Sequence, residues 1–303
     1  MTLISTSLGS VGIFVSREVT GPGGNHMFGI EYLNLRRSDW PENWPETCKG
    51  KKQSPINIDD SEVKINKNLR DIKFVNYDKV LNNPVLVNNG HSVKLDIEDD
   101  SNVPKIQDGG LKAEYKFQQL HFHWGSENTT GSEHTLNNKI YPMEMHLVHY
   151  NSKYEKDEAH NYEDGLAVLA VFIKIDANDN NAFSAFSQNL KFVYGNDSYD
   201  ISSSDLTLQA LLPKDSLYYR YQGSLTTPPC NETVIWTVFA NPVTIGIEQI
   251  KEFRNESLDD LVNNFRPIQN LNDRTVEKSY NSGIQQLPQV VIVLASFVVV
   301  GSW

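Results

Sequence analysis

The sequence predicts a β-rich single domain with short peripheral helices, and three observations carry that expectation. Residues 85–97 alternate apolar and polar side chains around an Asn89-Gly90 turn signal, the pattern of a half-buried hairpin. Residues 166–175 and 234–240 are near-continuous apolar runs of strand length, rich in β-branched and aromatic residues, as expected of strands buried on both faces. Helical patterning is confined to two short segments, 181–190 and 244–255, the second opening on Thr244 with Glu248 close to a capping position.

The ends of the chain differ from its body. Residues 1–27 read as a weak signal peptide or leader: residues 1–15 contain no basic residue, and their apolar stretch is broken by Ser5, Ser7, Gly9, Ser10 and Gly12. Residues 18–30 are rich in glycine and polar groups and read as a linker. Residues 28–280 contain no further linker, repeat or low-complexity block and read as one domain. In 281–303, the small residues Asn281, Ser282 and Gly283 precede a polar spacer and an apolar run of 11 residues. A spanning helix needs roughly 20. That order fits a GPI-attachment signal, which is removed when the lipid is added; the alternative is a final β-strand. The GPI reading places the mature chain on the outer face of the plasma membrane, held to the outer leaflet by its lipid.

Composition narrows the function classes. The formal net charge is −11 with no evident basic stripe, which excludes a nucleic-acid partner of the usual kind. Cys48 and Cys230 are the only cysteines, too few for a zinc ribbon or an iron–sulfur cluster. They either form one disulfide or stay as free thiols. Four sequons, at Asn128, Asn196, Asn231 and Asn255, are glycosylation sites if the chain is secreted. With the C-terminal tail, they favour the disulfide.

The histidines are unevenly placed. His121 and His123 lie in one strand-like segment, and His146 and His149 in another. Successive strand side chains alternate faces, so His121, His123 and Gln119 share a face. In the second segment His146 shares its face with Glu144 and Val148, and His149 points the other way. Three imidazoles can then converge. Three neutral imidazoles suit Zn²⁺ and leave its fourth tetrahedral position open, which marks a catalytic site. Gln119 and Glu144 are placed to accept the ligands' other N–H groups. Separately, Thr226 and Thr227 precede Pro228-Pro229 in a rigid turn, and Glu133 follows Gly131-Ser132. A threonine hydroxyl there can orient a metal-bound hydroxide if an acid such as Glu133 accepts its proton.

The segments His121-Phe-His-Trp-Gly-Ser126, Gly131-Ser-Glu-His-Thr135, Glu144-Met-His-Leu-Val-His-Tyr-Asn151 and Ser224-Leu-Thr-Thr-Pro-Pro229 resemble the α-class carbonic anhydrases. Gln53-Ser-Pro-Ile-Asn-Ile58, Asn88-Asn-Gly-His91 and Asn264-Phe-Arg-Pro267 add to the resemblance, which runs in family order from about residue 44 to 267 and is closest to the extracellular, GPI-anchored type. It implies a mainly β (α+β) fold on a central, twisted, mostly antiparallel sheet of about ten strands. It implies Zn²⁺ on His121, His123 and His146, with Gln119, Glu144 and the Asn264 backbone behind them. The implied activity is that of carbonate dehydratase, the reversible hydration of CO₂ to bicarbonate and a proton, blocked by sulfonamide-type inhibitors.

The resemblance also assigns roles. His91 matches the proton shuttle, and Thr226 with Glu133 the pair that orients the hydroxide. Thr227 matches a residue that contacts product, and Val148, Val168, Leu225 and Trp236 the apolar wall around CO₂. Cys48 and Cys230 match the single disulfide of the extracellular branch, bracing the loop that carries Thr226. Two departures stand out: Phe265 where tryptophan is frequent, and Lys94 where the cavity usually has a neutral polar residue. A cation near His91 lowers the shuttle's pKa. The main rival is a binding protein on the same domain. Acatalytic relatives lose a zinc histidine, and here all three are present.

Overall fold

The computed structural model describes residues 46–98, 102–194, 197–255, 258 and 261–280, and the backbone of two earlier strands. The expectations for residues 1–15, for the attachment signal at 281–303 and for Asn196 lie outside the described residues. The linker expected at 18–30 is corrected. Ser16–Thr20 and His26–Ile30 pair antiparallel, Ser16 opposite Ile30 and Thr20 opposite His26. The strand formers Val19, Thr20, Phe28 and Ile30 flank the Gly/Pro stretch, and its composition obscured them.

Among the described residues, thirteen strands join one sheet. Its centre is built from β1 (Val85–Asn88), β2 (Val93–Asp96), β3 (Tyr115–Trp124), β4 (Met143–Asn151), β5 (Leu166–Asp176), β6 (Tyr218–Gly223) and β7 (Val234–Phe239). The spatial order is β1-β2-β3-β4-β5-β7-β6. β1 and β2 form the hairpin expected around Asn89-Gly90. Most pairs are antiparallel; β5 runs parallel to β7, and its far end runs parallel to Val243–Gly246. The sheet exceeds the expected ten strands because edge pieces such as Ile72–Val75 and Lys105–Asp108 are too short to show a period.

β5 shows why the sheet is a core element. Ala167, Leu169, Val171 and Ile173 enter one apolar cluster, while Leu166, Val168, Ala170 and Phe172 enter another on the opposite face. Period-two alternation inside an all-apolar run splits it evenly between two cores.

The helices are shorter than expected. Segment 181–190 breaks into a 3-10 turn, Asn181–Phe183, and one turn of α-helix, α1 (Ser184–Ser187). The second helix, α2, spans Ile247–Phe253, and Thr244 belongs to the preceding strand. Gly246 is the N-cap, and its N–H donates to the Gln249 side chain at 3.0 Å. β-Branched Val243, Thr244 and Ile245 are used as a strand, so the helix starts three residues later, at Ile247. Among the described residues, no helix is long and apolar enough to cross a membrane.

His149 points away from the other histidines, as strand parity requires. It is fully buried, with Tyr77 donating to Nε2 and its own Nδ1–H donating to Ala167 O at 3.2 Å. Burial lowers its pKa to about 3. The unfolded chain binds this proton near pH 6.5, so the contribution to stability is present above that pH. It is lost progressively as pH falls toward 3. His149→Gln should flatten the acid limb of an unfolding midpoint measured from pH 7 to 4; an unchanged slope would assign acid sensitivity elsewhere.

Candidate active site

Sheet register assembles the site from separate strands. His121 on β3 lies opposite His146 on β4, and His123 lies opposite Glu144. One nitrogen from each of His121, His123 and His146 falls within 4.8 Å of the others. The remaining nitrogens are held in turn. His121 Nδ1–H donates to Gln119 Oε1 at 2.9 Å, His123 Nδ1–H to the Asn264 carbonyl at 2.7 Å, and His146 Nε2–H to Glu144 Oε1 at 2.7 Å. Each bond fixes a tautomer and leaves the opposite lone pair facing the cluster. Burial lowers the pKa of His121 and of His146, which keeps both imidazoles neutral.

Two carboxylates flank the cluster. Burial raises the pKa of Glu144, but hydrogen bonds from His134 and His146 outweigh it and hold the carboxyl well below its usual range. Glu133 differs: burial pushes it up, against His146, the Arg266 amide and the Thr226 hydroxyl. Its Oε2 lies 3.4 Å from His123 Nε2. Among the described residues, no lysine or arginine side chain forms an ion pair with either carboxylate. Three imidazoles beside two buried carboxyl groups fit a divalent cation, and the all-nitrogen donor set fits zinc.

The glycine of the 131–134 segment is required where it stands. Gly131 has φ +149°, and a Cβ there would sit 1.9 Å from the Pro142 carbonyl oxygen. The close approach holds the residues just before Glu133 against the stretch leading into β4, where Ser132 N–H donates to the Tyr141 carbonyl at 2.8 Å.

A second row of the sheet lies beside the histidines. Gln119, Val148, Val168 and Trp236 occupy successive cross-strand positions on β3, β4, β5 and β7. Val148, Val168 and Trp236 are buried in one cluster, with half-buried Leu225 packed against it. The Trp236 ring centroid is 4.8 Å from that of His146. The expected apolar wall is therefore contiguous with the cluster. Thr226 is buried, whereas Thr227 is exposed.

His91 is exposed on the β1–β2 turn. Its carbonyl accepts from Asn264 Nδ2 at 3.3 Å, so one asparagine links this turn to the His123 imidazole. Lys94 lies opposite His121 in register and forms an ion pair with Asp96 at 2.7 Å. Its charge still acts on His121, whose pKa it helps to lower.

Cys48 and Cys230 form a disulfide across 182 residues, with Cα atoms 5.0 Å apart. It closes the loop that carries Thr226. Of the sequons, Asn128 is exposed and accepts from Arg254, while Asn231 is half-buried and donates to His160 O at 2.9 Å. Asn255 is half-buried.

The chain matches the eukaryotic-type carbonic anhydrase family over residues 35–280. It belongs to that family. It is 40% identical over 276 residues to carbonic anhydrase 15 of Mus musculus, covering 84% of this chain and 85% of that protein. Carbonic anhydrase 4 of Rattus norvegicus is 39% identical, covering 80% of each chain. Carbonic anhydrase 6 of Homo sapiens is 37% identical, covering 88% of this chain and 89% of its own length. The protein is accordingly a carbonic anhydrase, from a family of zinc enzymes that hydrate CO₂.

Sequence reasoning left four buried polar residues without a role. His134 Nδ1–H donates to Glu144 Oε1 at 2.7 Å, and its Nε2 accepts from Tyr221 at 2.6 Å. The Tyr221 and Ser54 hydroxyls are 2.9 Å apart. Arg266 donates its backbone N–H to Glu133 Oε1 at 2.8 Å. His134, Ser54 and Arg266 sit inside motifs read from the sequence, but only the fold shows what they touch.

Proposed function

We propose that His121, His123 and His146 hold zinc, and that the chain hydrates CO₂ at the outer cell surface. The observation that carries the reading is the convergence of three imidazoles, His121 half-buried and His123 and His146 buried, each oriented by its own acceptor, beside an apolar wall. Bound zinc supplies Lewis acidity that brings a water's pKa down toward neutrality; carbonic anhydrases are themselves the standard example of this effect.

The protein's residues supply the rest. Gln119, Asn264 and Glu144 keep the imidazoles in their binding tautomers. Thr226 donates its hydroxyl proton to Glu133, so its oxygen is left to accept a hydrogen from the nucleophile and fix that nucleophile's orientation. A cation on the imidazoles favours the ionised form of Glu133 that this role needs. Val148, Val168, Leu225 and Trp236 hold CO₂ in a dry pocket beside that nucleophile, with Thr227 at its edge toward bicarbonate or a sulfonamide.

His91 exports the product proton to buffer. His91→Ala should slow hydration in weak buffer, roughly tenfold or more, with rescue by added imidazole; no rescue would mean that protons leave by another route.

The surface location rests on the disulfide, which persists in oxidising compartments, on the sequons and on the C-terminal pattern. In this reading 1–27 is a leader, 28–280 the catalytic domain and 281–303 a removed GPI signal, with glycans on the exposed sequons. A phosphatidylinositol-specific phospholipase C should release the protein from intact cells; retention on the cells, with a control GPI protein released, would contradict the anchor.

A further inference from the structure

The chemistry above makes no use of Gln53, Ser54 or the guanidinium of Arg266, yet all three residues are buried. Arg266 Nη1 donates to Gln53 Oε1 at 2.9 Å and to the Ser54 carbonyl at 2.8 Å, and Nη2 donates to the Cys48 carbonyl at 3.2 Å. The same residue's backbone N–H donates to Glu133 Oε1 at 2.8 Å. One arginine thus grips the 48–54 segment with its side chain and Glu133 with its main chain.

That segment also holds the other half of the threonine–glutamate pair. Gln53 Nε2 donates to the Cys230 carbonyl at 3.2 Å. Ser54 N–H donates to Ser224 Oγ at 2.9 Å, and Ser224 N–H donates back to Ser54 Oγ at 3.0 Å. The loop bearing Thr226 is therefore tied at both ends to the residues that Arg266 grips. The planar fork of arginine suits this simultaneous contact with several oxygens, which a lysine point charge does not reproduce.

We infer that Arg266 is a positioning residue of the hydration reaction: it sets Glu133 relative to Thr226 by anchoring both to the Gln53–Ser54 segment. The inference rests on the role proposed for Thr226 and Glu133. Misplacing a reacting group by an ångström from a distance is enough to cost a large factor in rate.

The test is a double-mutant cycle on the zinc-loaded full chain, with kcat/KM for CO₂ hydration, metal content and unfolding midpoint read together. Arg266→Gln alone should lower kcat/KM on the order of tenfold with zinc content unchanged. In a Thr226→Ala background the same change should cost less than about twofold, because the pair it positions is already broken. Equal losses in both backgrounds would overturn the inference, as would undiminished kcat/KM in Arg266→Gln. Should that variant fail to fold, Gln53→Ala removes one of the acceptors named above and runs the same cycle. Unchanged turnover in Thr226→Ala alone would instead overturn the threonine–glutamate reading itself.

Discussion

Thr226→Ala should cut CO₂ turnover on the order of a hundredfold while zinc content and folding hold. Thr226 is buried, and in the proposed mechanism its hydroxyl works through Glu133, whose carboxyl it helps to keep ionised, rather than through the imidazoles. Its loss therefore removes orientation without removing a metal donor. Thr226→Ser, which keeps the hydroxyl, should restore most of the rate. A full-rate alanine variant would show that the hydroxyl does not orient the nucleophile. A variant that loses its zinc would show that Thr226 supports the metal site instead.

His146→Ala should have the larger effect, because it takes away a donor. Structural zinc sites bind with about 10–16 kcal/mol, so one ligand's share corresponds to a loss of affinity of a hundredfold or more. The change also removes one of the two histidine partners of buried Glu144, leaving the carboxylate to His134. An isothermal zinc titration of the variant, alongside dialysis against a chelator, reads this directly. Retention of tight, stoichiometric zinc would remove His146 from the ligand set.

The same residues show how much was legible in the sequence. Strand parity alone put His121, His123, Gln119, His146 and Glu144 on converging faces and turned His149 away, because a two-residue period survives any detail of loop structure. The all-apolar run of β5 announced burial on both faces for the same reason. Register could not be read: nothing in the sequence says that His121 sits opposite His146, or that Val148, Val168 and Trp236 form one row. Those facts depend on hydrogen-bond pairing between segments far apart in the chain. The start of α2 is not legible because Thr244 satisfies a capping pattern and a strand pattern equally well, and pairing with β5 decides between them.

Long-range polar contacts were less accessible still. The tie from Arg266 to Glu133 spans 133 residues, and no local pattern encodes it. Strand parity, by contrast, does place Lys94 and Asp96 on one face, where they form an ion pair beside His121.

The most direct measurement is CO₂ hydration by the purified protein in stopped flow, with zinc counted on the same sample and with chelator and sulfonamide arms. Stoichiometric zinc, with turnover that is lost on chelation, restored by zinc and blocked by the sulfonamide, is the expected result. Stoichiometric zinc on the three histidines without turnover would contradict catalysis at this site and leave a metal-bearing binding domain in its place.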